Sequence, residues 1–163
     1  MGSERGYIDN LKFKDIPWNR MTTAYGTAEK FPEFFAVLEK MQNIEEMDDA
    51  FYSIMGGVEH QDSLYQPLPF VIIFFKRLLK KAESIHTPES EWLMEEIKEN
   101  FKGISKICDY VAYEFPHGNQ LWNFSELLDE KYLIPQSHRI ETDNFDYEYS
   151  VVYYAKKILN EDF

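Results

Sequence analysis

Hydrophobic positions recur every three or four residues along most of this chain, and the spacing predicts a succession of amphipathic helices. Over residues 67–81, Leu68, Val71, Ile72, Phe75, Leu78 and Leu79 fall on one helical face. Phe70, Ile73 and Phe74 fill a second face, so this segment is expected to be a buried central helix. Its VIIFF core is also strand-prone, but the helical period runs on to Leu79, past the usual length of a strand. Lys76, Arg77, Lys80 and Lys81 stand in the final turns, where cations favour the negative end of the helix dipole.

Upstream, Pro32 marks a helix start, with Phe31, Phe34, Phe35, Leu38 and Met41 as its buried stripe. Asn43 followed by Glu46 resembles a capping box and opens a second helix. Its core stripe is Ile44, Met47, Phe51, Ile54, Met55 and Val58, while Glu45, Asp48, Asp49, Tyr52 and Glu59 occupy the opposite side. These two helices form a hairpin across a one- or two-residue turn, and Gly56-Gly57 weakens the second helix before its exit. Downstream, Thr87-Pro88 caps a long helix with Leu93, Ile97, Phe101, Ile104, Cys108, Val111 and Phe115 inward and Glu91, Glu95, Glu96 and Glu99 outward. It stops at Phe115-Pro116-His117-Gly118. A short fifth helix is expected over 124–133, a polar loop over 136–145, and a final helix over 147–160 with Tyr149, Val152 and Leu159 on one side. Residues 1–15 read as an irregular lead-in.

With 163 residues and 44% hydrophobic content, the chain can build one domain (1–163) around a real core. No linker divides it. Successive helical hairpins predict an all-α fold, a short HEAT-like α-solenoid whose C-terminal helices close the exposed end. Lys+Arg 17 against Asp+Glu 29 leaves a net charge of -12, which disfavours nucleic acid and anionic membrane as partners and permits a basic protein. The single cysteine, Cys108, excludes an intramolecular disulfide and reads as a small core residue. The first residues carry no apolar stretch of signal-peptide length and no run approaches a membrane span, so a cytoplasmic location is expected.

Within residues 16–79 the order Trp18, Ala24-Tyr25-Gly26, Ala28, Pro32, then His60-Gln61, Tyr65 and Pro69 resembles bacterial HEAT-like repeat proteins. In that family a Trp and an Ala-Tyr-Gly turn precede one Pro-started helix, and a His-Gln pair and a Tyr precede another. Members are commonly immunity proteins of polymorphic and contact-dependent toxin systems. Asp62 and Gln66 depart from the pattern, and residues 88–163 carry none of its motifs. The resemblance implies a chain that binds and neutralises a cognate toxin domain, expected to be basic and in many such systems a nuclease.

Catalysis is not expected. His60, between Glu59 and Asp62, invites a metal or acid–base reading; the plainer one is a turn histidine whose ring nitrogens satisfy backbone groups. His86, His117 and His138 fall in separate loops, and no metalloprotease, nucleophile-elbow or phosphate-loop motif is present. No metal or cofactor is expected. The alternatives are a helical scaffold without a toxin partner and a small metal-dependent enzyme. The expected toxin-binding surface is Glu45, Asp48, Asp49 and Tyr52 of the second helix, with Glu91, Glu95 and Glu99 of the fourth beside them. Tyr52 is the expected anchor, since hot spots favour Tyr over peripheral carboxylates.

Overall fold

A computed structural model describes residues 4–136 and 145–161. The chain is mostly helical, with no closed sheet among these residues. Helix α1 (Glu4–Asn10) leads into two short 3-10 turns, Phe13–Asp15 and Trp18–Arg20. A two-residue strand β1 (Thr22–Thr23) pairs antiparallel with β2 (Gly26–Thr27), and α2 (Phe31–Lys40) follows. Then come α3 (Ile44–Val58), a second small hairpin of β3 (Glu59–His60) with β4 (Ser63–Leu64), and α4 (Leu68–Glu83). Helix α5 (Pro88–Glu114) and helix α6 (Phe145–Asn160) complete the order, with 3-10 turns at Phe124–Leu128 and Glu130–Tyr132 between them.

The central apolar segment is helical, and every residue from Leu68 to Phe75 is buried. Helix α2 packs on α3, while α4 packs on both α5 and α6, which also touch each other. Phe75 of α4 joins the two pairs: its ring stacks on Phe51 of α3 at 5.0 Å and meets Phe35 of α2 at 5.4 Å. Trp18 closes the outer side among Phe13, Phe31, Phe35 and Phe74. Edge-on and tilted rings of this kind add to the stability that burial of their area already supplies.

Hairpin, proline-started helix, partner helix is a pattern that occurs twice. Pro32 and Pro69 occupy the opening turns of α2 and α4, where a missing N–H costs nothing. The turn of the first hairpin uses Gly26 at φ 146, and that of the second uses Gln61 and Asp62 at φ 50 and 63. The two hairpins are joined: Ala24 N donates to Gly57 O at 2.9 Å, and Tyr25 Oη lies 3.0 Å from His60 Nδ1. Gly57 therefore also serves close approach, one residue before α3 ends at Val58; a Cβ there would sit 3.1 Å from the Phe31 ring.

Several expectations are corrected. The lead-in is helical over Glu4–Asn10 because Ile8 is buried and Arg77 of α4 donates to Ile8 O (2.9 Å) and Leu11 O (2.6 Å). The basic residues of α4 thus hold other segments as well as facing their own helix end. Lys76 does the same for α6, donating to the terminal carbonyls of Ile158, Leu159 and Glu161. The fifth helix is instead a pair of 3-10 turns. Asp129 is extended (φ -58, ψ 139) and interrupts them, and Arg20 Nε donates to Ile134 O at 2.6 Å while its guanidinium pairs with Glu130. The α2–α3 link is residues 41–43, with Met41 left-handed at φ 49.

Ile44 and Phe115, expected inside, are exposed: Ile44 opens α3, and Phe115 follows the end of α5 with the Phe145 ring against one edge. Phe101 and Val111 are half-buried. Helix α6 begins two residues early, at Phe145, and buries Tyr147, Ser150, Val151, Tyr154, Ala155 and Ile158; the stripe of Tyr149, Val152 and Leu159 is half-buried. That face turns inward because its hydroxyls find partners: Ser150 Oγ accepts from Leu121 N at 2.8 Å, and Tyr154 Oη donates to Leu121 O at 2.7 Å. Most of the expected loop over 136–145 lies outside the described residues.

Candidate partner-binding surface

Helix α3 starts where Asn43 Oδ1 accepts from Glu46 N at 3.0 Å. With Met47, Ala50, Phe51 and Ile54 turned inward, the helical period leaves Glu45, Asp48, Asp49 and Tyr52 outward, and all four are exposed. Helix α5 is started by a reciprocal Thr87–Ser90 box at 2.9 and 3.1 Å. Burial of Leu93 and Ile97 leaves Glu91, Glu95 and Glu99 exposed. Glu99 is paired with Lys102 at 3.8 Å on the same helix.

Side chains join the two helices along this face. The Trp92 ring meets Phe51 edge-on at 6.3 Å. One turn further, Tyr52 Oη donates to the Glu96 carboxylate and accepts from Asn100 Nδ2 at 3.4 Å, while Asn100 Nδ2 also donates to Glu96 O at 2.8 Å. The Tyr52 phenol is raised above its ordinary range, first by partial burial, then by the Glu96 hydrogen bond, with the charges of Glu96 and Asp48 adding to it. It remains a neutral donor across physiological pH, and the residue is still 45% exposed. Glu96 is the member of this face that sequence reading left out of the site. Its signal was the i, i+4 series Trp92, Glu96, Asn100, which directs one edge of α5 at α3.

Nothing comparable gathers around His60, His86 or His117 among the described residues. His60 finds its partner in the Tyr25 hydroxyl rather than in a backbone group, and the two rings meet edge-on at 5.3 Å. His138 lies outside the described residues. Among the described residues no three of His, Cys, Asp and Glu stand together as a metal-binding group, and no helix is long and apolar enough to cross a membrane.

No protein-family model, curated protein or solved structure matches this chain. The ten family-like positions can therefore be judged only by what they do here. Trp18, Ala28 and Pro69 are buried in the packing, Pro32 is exposed and starts α2, and Tyr25, Gly26, His60 and Gln61 build the paired hairpins.

Cys108 is fully buried, and burial pushes its thiol up to about 12, against an ordinary value of 9.0. The protonated thiol is a poor nucleophile. Alkylation of the native protein at pH 8 is expected to be far slower than that of the urea-unfolded chain, as mass spectrometry will show. A raised folded-state value also means that the unfolded chain loses its proton first. The stability associated with Cys108 is whole below about pH 9 and declines as pH rises towards 12.

Proposed function

We propose that this chain is an immunity protein that neutralises a cognate bacterial toxin by binding its toxic domain through the α3–α5 face. The observation that carries the reading is that face itself. Helix α3 bears Glu45, Glu46, Asp48 and Asp49 with no Lys or Arg, and the partly exposed Tyr52 stands where α3 meets α5 and its outward carboxylates. A net charge of -12 attracts a basic partner. A nuclease cleft, basic because it holds phosphates, would be blocked by the same electrostatics that bind its substrate. The repeated hairpin and proline-started helix supports the HEAT-like resemblance from which the toxin reading comes. Inhibition by occupation needs no catalytic residue. Tyr52 is the anchor in this reading: a large ring already oriented by Glu96 and Asn100 loses little freedom on binding.

The test is association with the cognate toxin domain, measured across a salt series. Native association should fall steeply with salt, because steering raises such rates by about 10–10³-fold and is screened. Asp48→Lys/Asp49→Lys should start slower and depend on salt less. A native rate flat with salt, or a variant equal to it, places the toxin elsewhere.

A further inference from the structure

A second surface, remote from the α3–α5 face, has different chemistry. The β3–β4 hairpin, the end of α5 and the start of α6 enclose an open groove of about 670 Å³, a size typical of ligand sites. One wall is a run of three rings: Phe115 meets Phe145 edge-on at 5.0 Å, and Phe145 stacks along Tyr149 at 6.1 Å. Gly118 lies against the Tyr149 ring so closely that a Cβ there would overlap it, which fixes the orientation of that ring. The floor is already satisfied, because Tyr147 Oη donates to Leu127 O and receives Gln66 Nε2, both at 2.9 Å. What remains for a ligand is aromatic surface and two carboxylates, Asp62 and Glu148, both exposed.

Among the described residues no Lys, Arg or His lines the groove. The acidic character continues on its rim, where the Tyr110 phenol is held above its ordinary range by the Glu114 carboxylate and, less strongly, by Asp62. Among the described residues no salt bridge engages Asp62 or Glu148, and ring faces beside such carboxylates select a cation with a flat apolar body. Guanidinium meets that description better than ammonium, since it stacks on rings and bonds carboxylates through a planar fork. We propose that this groove receives an arginine side chain presented by an extended segment of a protein partner, with its guanidinium against the Phe145–Tyr149 wall and its charge between Asp62 and Glu148.

This inference does not rest on the toxin reading. From Glu95 to Val111, α5 rises about 24 Å, so the two surfaces can be tested separately. The experiment is an NMR titration of the full ¹⁵N-labelled chain with acetylated, amidated Gly-Leu-Arg-Leu-Gly and with its counterpart carrying citrulline, the neutral isostere of arginine. The arginine peptide should give saturable shifts at the amides of Tyr65, Glu148 and Tyr149. The citrulline peptide should bind about tenfold more weakly. In Asp62→Asn/Glu148→Gln, whose exposed substitutions leave the core untouched, the arginine peptide should weaken similarly while the spectrum stays dispersed. Equal binding of both peptides, undiminished binding to the variant, absence of saturation, or shifts confined to Asp48 and Tyr52 would each overturn the proposal.

Discussion

Phe51→Ala is expected to destabilise the fold by about 3–5 kcal/mol, the usual cost of deleting a buried aromatic ring. Phe51 is fully buried and is the point where three helices meet: it stacks on Phe75 with the planes 14° apart and receives the edge of Trp92. The cavity would open between helices whose other contacts hold them in place, so little collapse could fill it. Glu45→Ala, six residues earlier on the exposed face, should change stability by no more than about 0.5 kcal/mol. Urea unfolding of both variants measures the difference. Similar midpoints would show that the inward and outward faces of α3 are misassigned.

Gln66→Leu should cost nearly as much, about 2–4 kcal/mol, for a different reason. Gln66 is buried, and its amide serves three segments at once. Its Oε1 accepts from Thr22 N at 2.9 Å, and its Nε2 donates to Tyr132 O and to Tyr147 Oη, each at 2.9 Å. Leucine fills much the same space but leaves the Thr22 N–H and the Tyr132 carbonyl without their partner. Tyr147→Phe removes only the hydroxyl shared between Gln66 and Leu127 and should cost less, about 1 kcal/mol. If Gln66→Leu proves neutral by urea unfolding, the amide is not what ties the first hairpin to the 3-10 turns.

The contrast between Phe51 and Gln66 shows what sequence could and could not reveal. Phe51 was legible because periodicity is a local signal, and every strongly periodic segment from Pro32 to Cys108 is helical with its expected face largely buried. Proline positions and the Thr87 cap located helix starts for the same reason. Gln66 read merely as a departure from a family pattern, since its partners lie 44, 66 and 81 positions away. Arg77 and Lys76 were hidden similarly: their sequence context suggests a dipole effect, whereas their hydrogen bonds fasten α1 and α6. The 3-10 turns after Asn123 were missed because a short apolar spacing does not distinguish them from an α-helix. At the candidate surface, the outward carboxylates and Tyr52 follow from helical phase, but the Tyr52–Glu96 contact required knowing how α3 and α5 cross.

Glu4 adds a further tie between distant parts of the chain: it pairs with Lys157 of α6. With Arg77 holding Ile8 and Leu11 and Lys76 holding the last carbonyls of α6, helices α1 and α6 are both fastened to one turn of α4 and to each other. They therefore behave as a single clasp. In hydrogen exchange, the amides of α1 should owe their protection to the opening of α6 rather than to a seven-residue helix that could not stand alone.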